Sequence, residues 1–341
     1  MAEDIRILRW KNGQELGRLP VTKDYGDQVT VHRADLHSAL LSKAKKLPNV
    51  TLRLGFNVVG IDFEGGEVTA DTGERVQGDI LLAADGIKSF VRSMMSGEAD
   101  RAIPTGDAAY RITLTRAMME SDPELKPFME RATAYRWIGP NRHIMAYPVR
   151  NFQLFNVVLI HPDRGGFGES WSTPGSKQTL IKEYEGWDPR VIKMLNLVPD
   201  DQVLEWRLCT HAPLPTWVKG RVALLGDACH PMLPYVAQGA AQAVEDAATL
   251  GVVLSGMRSK SDVAPALAAY EHARKSRAET VQQLGPATRM ALHLPDGPAQ
   301  ELRDASFKNL GSSGGQNLDK WGDASTQKYL WGWDAEQVLR K

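Results

Sequence analysis

Two short segments carry residue types that could hold a ligand. The first, Leu81-Leu82-Ala83-Ala84-Asp85-Gly86-Ile87-Lys88-Ser89-Phe90-Val91-Arg92, sets an acid and a glycine directly after an apolar run. At the C-terminal edge of a strand such an acid can accept hydroxyl groups, and the glycine lets backbone approach a ligand closely. Asp-Gly is also ordinary turn chemistry, so the segment needs a second signal beside it. That signal is Arg221-Val222-Ala223-Leu224-Leu225-Gly226-Asp227-Ala228-Cys229-His230-Pro231, followed by Pro234-Tyr235-Val236-Ala237-Gln238-Gly239-Ala240-Ala241-Gln242 and Glu245-Asp246-Ala247. Here an apolar run ends in Gly226-Asp227, prolines fix a bend, and Gly239 opens an alanine-rich helix. Free N–H groups and the positive dipole end of that helix suit an anionic oxygen, and its alanines let a flat ring lie close. A tight helix–sheet crossing with no ligand would use the same small residues.

The elements that must position these residues can be read from periodicity. Ile80–Ala84 is continuously apolar, as expected of a strand covered on both faces in a parallel sheet, and Arg221–Gly226 repeats the pattern. Two such strands imply an α/β core. Upstream, TLRL, NVVGIDF and EVTAD read as short strands with a Glu64-Gly65-Gly66 hairpin. Asp35 is expected to cap a helix with Leu36, Leu40, Ala44 and Leu47 on one face, stopped by Pro48. Between about Gly106 and Pro215 the sequence turns rich in Trp, Tyr, Arg and Pro, with Phe152–Ile160 as one strand of a mostly antiparallel insertion. Helices are expected from Ala237 and over Ala264–Leu284, the latter ending at Gly285-Pro286. The tail beyond Pro295 is polar, with Gly311-Ser312-Ser313-Gly314-Gly315 as a flexible joint.

Composition narrows the function classes. A chain of 341 residues, 43% hydrophobic and 24% charged, is globular in make-up rather than disordered, collagenous or disulfide-framed. Its 41 basic residues balance 41 acidic ones, so no global basic field would hold nucleic acid. The sole cysteines, Cys209 and Cys229, suit a reducing, cytoplasmic setting. The N-terminus lacks the apolar stretch of a secretory signal, and no apolar run is long enough for an integral membrane segment. Two local patterns carry no chemistry. Gly311–Gly315 fits a Gly-x-Ser-x-Gly pattern but has no strand before it or helix after it. Cys229-His230 beside Asp227 lacks further ligands at metal-site spacing, so no metal centre is expected.

Taken in order, the two segments resemble the FAD-dependent aromatic monooxygenases of the single-component, salicylate-hydroxylase-like class. His32-Arg33-Ala34-Asp35-Leu36 also matches that family's helix start. The resemblance covers nearly the whole chain, and three separated motifs in family order are far more specific than any one. It implies that Asp85 and Gly86 lie beside the FAD pyrophosphate. It places Gly226 and Asp227 at the ribityl chain, Gly239 and Ala240 at the flavin pyrimidine ring, and Arg33 in contact with FAD. Ala109-Tyr110-Arg111 and His143-Ile144-Met145-Ala146-Tyr147-Pro148 look like the family's substrate positions. Arg111 and Tyr147 are thereby the catalytic candidates, holding the phenolate or carboxylate of an aromatic substrate. A cation beside a phenolate raises affinity and reactivity toward an electrophilic oxygen. NAD(P)H and O2 are the implied co-substrates.

The resemblance also implies a leading strand, a Gly-x-Gly-x-x-Gly turn and a helix, and this sequence contains no Gly-x-Gly-x-x-Gly. The expectation is an N-terminally truncated, incomplete Rossmann-like FAD-binding domain with an inserted, mostly antiparallel β substrate domain. Its divisions are 1–105 for the remaining flavin part, 106–215 for the substrate sheet, 216–290 for the flavin return and 291–341 for the tail. An unpaired core strand would leave the chain unstable, locally rebuilt or paired as a homodimer through the gap. The implied activity is NAD(P)H- and O2-dependent hydroxylation of a phenolic or salicylate-like ring, such as a secondary metabolite. The alternative is a flavin-free relative that binds an aromatic small molecule without redox chemistry.

Overall fold

The computed structural model describes residues 3–97, 102–165, 173–308 and 322–339. The Gly311–Gly315 joint lies outside the described residues. In chain order the first elements are β1 (Asp4–Arg9), β2 (Glu15–Pro20), α1 (Arg33–Ala44), β3 (Val58–Asp62), β4 (Glu67–Ala70), β5 (Arg75–Gln77), β6 (Leu81–Ala83) and α2 (Phe90–Ser96). Then come β7 (Ile103–Thr115), α3 (Arg116–Glu120), β8 (Thr133–Gly139), β9 (Arg142–Val149), β10 (Leu154–Pro162), β11 (Thr173–Pro174), α4 (Lys177–Glu183), α5 (Pro189–Leu197) and β12 (Leu204–Thr210). The last are β13 (Val218–Lys219), β14 (Val222–Leu224), α6 (Gly239–Ser255), α7 (Val263–Leu292), α8 (Pro298–Phe307), α9 (Ala324–Trp331) and α10 (Ala335–Leu339). None of these helices is long and apolar enough to cross a membrane.

The chain divides into two compact units. The first comprises Met1–Thr51, Gly106–Leu208 and Ala287–Trp331. Its frame is an eight-stranded sheet in the order β11-β12-β7-β10-β9-β8-β1-β2, mostly antiparallel, with β1 parallel to β8. Strand alternation sorts the side chains. Tyr110, Ile112 and Leu114 of β7, Phe155, Val157 and Leu159 of β10, and Ile144 and Ala146 of β9 enter one buried core. Arg111, Thr113, Met145, Tyr147, Asn156 and Val158 alternate with them, are only half-buried, and form the opposite face. Helix α5 closes the core with Val191, Met194 and Leu195. The sequence gives β1 and β2 little periodic signal, and both nevertheless pair into this sheet.

The second unit comprises Leu52–Thr105, Cys209–Pro286 and Gly332–Lys341. It holds a three-stranded sheet β13-β14-β6, a second sheet β3-β4-β5, and a core built on Trp217, Val222, Leu224, Leu267 and Tyr270. Strand β14 is wholly buried, as its apolar run predicts.

Four local expectations are corrected. Strand β6 is an edge: Leu82 is 45% exposed, because only β14 pairs with it among the described residues. TLRL forms no strand, and Leu54 is 87% exposed. Helix α1 starts from His32 rather than Asp35 and buries none of its residues, with Leu40 at 60% exposure. Asp35 instead stands in its first turn and takes a bidentate ion pair from Arg150, 2.6 and 2.5 Å. Helix α7 continues past Gly285 to Leu292 with Pro286 inside it, since a helical proline removes one backbone hydrogen bond without ending a helix that packing supports.

Candidate flavin and substrate sites

Strands β6 and β14 run side by side in parallel, with Leu81 opposite Val222, Leu82 opposite Ala223 and Ala83 opposite Leu224. The Leu225 N–H then donates to Ala83 O at 3.0 Å. Both strands therefore release their next residues at the same edge, and Asp85-Gly86 and Gly226-Asp227 leave the sheet as neighbours. Buried Arg92 ties the two turns together. One Nη donates to Ala228 O at 2.8 Å, and the other donates to Ile87 O and lies 2.8 Å from His211 Nε2. Asp85 is exposed but has one oxygen engaged locally, accepting from Val91 N–H at 3.1 Å.

Gly226 has φ +59°, and a Cβ there would sit 3.4 Å from Ala243 Cβ on α6. The positive φ favours glycine, while a Cβ at that distance would make only an ordinary contact. Helix α6 begins at Gly239 with no side-chain cap and no acid in its first turn. Ala240 and Ala241 are exposed, and the Oε1 atom of buried Gln238 has no hydrogen-bond partner. First-turn amides of a helix have no intrahelical acceptor, so this uncapped end is built to receive negative charge from outside. Exposed Asp227, the small Gly239-Ala240 pair and the donor-rich helix end fit a flat, anionic dinucleotide such as FAD.

In the first unit the half-buried sheet face gathers the substrate candidates. The Arg111 guanidinium lies over the Trp206 ring, 5.1 Å from its centroid. Its Nε is buried and has no hydrogen-bond partner. Burial lowers the Arg111 pKa, Tyr147 raises it, and the nearby Arg33 charge lowers it again. Burial raises the Tyr147 pKa, with Arg111 opposing. Tyr147 is thus a neutral phenol at physiological pH, able to donate. The structure brings Arg33 and Tyr147 each within electrostatic reach of Arg111, beside the Trp206 ring.

The FAD binding domain family matches residues 9–284. An FAD-dependent monooxygenase of an Arthrinium species, atnJ, is 43% identical over 340 residues, covering 99% of this chain and 79% of that protein. The chain belongs to the family of FAD-dependent aromatic monooxygenases. This monooxygenase is also 34% identical to the 6-hydroxynicotinate 3-monooxygenase of Bordetella bronchiseptica over 285 residues, 81% of this chain and 70% of the other. Its fold superposes on a salicylate hydroxylase in substrate complex with a TM-score of 0.81 at 25% identity, covering 98% of this chain and 80% of that one.

Three residues near the motifs have partners that the sequence alone does not show. Arg92 closes the Leu81–Arg92 segment, yet nothing local reveals that it bridges to Ala228. Asp246 follows Glu245 on α6, and its partner Arg274 is 28 positions away on α7. Trp206 had no signal at all, because a cation–π contact between β7 and β12 depends on strand pairing that the sequence does not state.

Proposed function

We propose that this monooxygenase hydroxylates an electron-rich, phenolic or salicylate-like ring, with NAD(P)H as the electron donor and O2 as the oxygen source. The observation that carries the reading is Arg111, half-buried with an unpartnered Nε, beside the phenol of Tyr147 and the Trp206 ring. The chemistry supplied by bound FAD is reductive activation of O2, one atom going to the ring and the other to water.

The chain's own residues have distinct parts in this reading. Arg111 holds the substrate phenolate or carboxylate, and its charge keeps that oxygen deprotonated, which enriches the ring in electrons. The partly dry setting strengthens that attraction over its value in water. Tyr147 donates a hydrogen bond to a substrate oxygen, and Trp206 stacks on the guanidinium and limits its orientation. Arg33 adds positive charge for the cofactor's anionic part. Asp85 and Asp227 accept hydroxyl hydrogens, Gly86 and Gly226 let backbone approach, and Gly239-Ala240 present the uncapped end of α6. Arg33 belongs to the first unit, as the substrate platform does, and the other flavin-holding residues belong to the second. A chain with only two cysteines, Cys209 and Cys229, suits a reducing, cytoplasmic setting. A homodimer paired through the open edge of β6 belongs to the same reading, and sedimentation of the purified protein tests it.

The test is NAD(P)H oxidation by the FAD-reconstituted protein across phenols, their methyl ethers and benzoates. Product mass with labelled O2 should show one incorporated oxygen atom for a phenol or salicylate. Flavin reduction that no aromatic acid or phenol accelerates would remove the substrate assignment.

A further inference from the structure

The Gly226-Asp227 turn is gripped from behind by a buried ionic network that the proposed chemistry does not use. Asp246 on α6 is fully buried. Its Oδ2 accepts from Gly226 N–H at 2.8 Å and lies 2.6 Å from His230 Nε2, while Oδ1 accepts from Arg274 Nε at 2.9 Å. Burial alone would raise the Asp246 pKa, but the hydrogen bonds and charges of His230 and Arg274 outweigh it and hold the carboxyl below its usual range. Arg274 is itself fully buried and donates onward to Glu245 and, at 2.7 Å, to Gln242 Oε1. Arg277 donates to both Glu245 oxygens, 2.8 Å each. Over the arginine pair lies the Trp333 ring, its centroid 4.8 Å from the Arg274 guanidinium carbon and 5.2 Å from that of Arg277. Trp333 stands just before α10, which packs on α6.

Stability alone does not account for this arrangement, because buried ion pairs are often no better than apolar side chains of similar size. What such a network fixes is direction. The Cys229 and His230 amides both return to Gly226 O at 3.0 Å, so the 226–230 turn pivots on the Gly226 peptide. Holding the Gly226 N–H therefore sets where the exposed Asp227 stands at the sheet edge.

We propose that Asp246, braced by Arg274 and closed over by Trp333, is a positioning residue that aims the Gly226-Asp227 turn at FAD, so that the C-terminal segment contributes to cofactor binding. This rests on the flavin reading above. Asp246→Asn keeps the side-chain size but removes the charge that compensates Arg274. Trp333→Ala removes the outer contact at a half-exposed position, and Trp333→Phe restores a ring.

The test uses the full chain in two arms. Amide exchange over 225–230 is measured without FAD, and FAD affinity is measured by fluorescence titration at a temperature where each variant is folded. Asp246→Asn should speed Gly226 exchange and weaken FAD binding about ten- to hundredfold, the range for a lost charge-assisted hydrogen bond. Trp333→Ala should weaken binding about three- to tenfold, with Trp333→Phe recovering most of it. Lower melting temperatures with exchange and FAD affinity unchanged would overturn the proposal and leave the network purely structural. If Asp246→Asn does not fold, the two Trp333 variants decide by the same criterion. Wild-type protein that takes up no FAD would overturn the flavin reading, while the exchange arm still decides whether Asp246 holds Gly226.

Discussion

The Arg92 guanidinium donates to Ala228 O at 2.8 Å, across 136 positions of sequence, and so locks the turn after β6 to the turn after β14. Fully buried carbonyls and a fully buried cation satisfy each other here, and the two acid-bearing edges behave as one surface. Arg92→Ala should leave the Ala228 carbonyl unpaired and the Ile87 carbonyl with His211 Nε2 alone, 3.0 Å away, and destabilise the protein by about 2–4 kcal/mol, read from denaturant midpoints. Arg92→Lys, which cannot reach both carbonyls at once, should recover less than half of that loss. A midpoint unchanged by Arg92→Ala would show that the turns are held by the strand register alone.

Backbone conformation at the two ends of the proposed flavin turn gives a pair of opposite expectations. Gly226 at φ +59° faces Ala243, so Gly226→Ala should cost about 1–2 kcal/mol. Ala237 has φ +50° just before α6, so Ala237→Gly should be neutral or stabilising by up to about 1 kcal/mol, strain relief offsetting the greater freedom of unfolded glycine. Thermal unfolding of both variants checks the signs, and destabilisation by Ala237→Gly would refute the strain at that position.

Substitution at Arg111 should separate binding from folding. Arg111→Lys keeps a charge but loses the planar contact with Trp206, and Arg111→Gln loses both. We expect KM for a phenolic or benzoate substrate to rise about tenfold or more, the scale of a lost charged hydrogen bond, with FAD affinity unchanged. Steady-state kinetics at several pH values checks this. Equal KM values for wild type and Arg111→Gln would move the substrate anion elsewhere.

The first unit should be acid-sensitive. Burial pushes His161 and His293 down to about 4, and His143, whose Nδ1 lies 2.8 Å from His293 Nε2, well below its usual value. The unfolded chain therefore binds more protons than the folded one below the normal histidine pKa. Stability is full above about pH 6.5 and is lost as pH falls toward 4, at roughly 1.4 kcal/mol per pH unit for each such histidine. Glu183, raised chiefly by burial, works in the opposite sense over the carboxylate range. Denaturation at about pH 5 should show stability at least about 2 kcal/mol below that at pH 7, and His293→Gln should flatten the slope. A pH-independent midpoint across that window would mean that these histidines are charged in the folded protein.

Much of the candidate flavin site was legible because it is local. Strand, acid and glycine are consecutive in Ala83–Gly86 and in Leu224–Asp227, and apolar runs announce the strands that deliver them. The exposed α1 face, the edge position of β6 and the continuation of α7 through Pro286 were not legible. Each depends on what packs alongside, and periodicity reports only that a face is apolar. Arg274, Trp206 and Trp333 were invisible for the same reason: their partners lie on other elements, 28, 95 and 59 positions away for Asp246, Arg111 and Arg274.

An equilibrium FAD titration of the wild-type chain beside Asp85→Ala and Asp227→Ala tests the shared-edge claim most directly. The expected result is saturable FAD uptake by the wild type, weakened at least about tenfold by either substitution, with the double variant no worse than the better-placed cofactor contact allows, that is, less than additive. Wild-type binding left intact by both substitutions, or absent altogether, would contradict it.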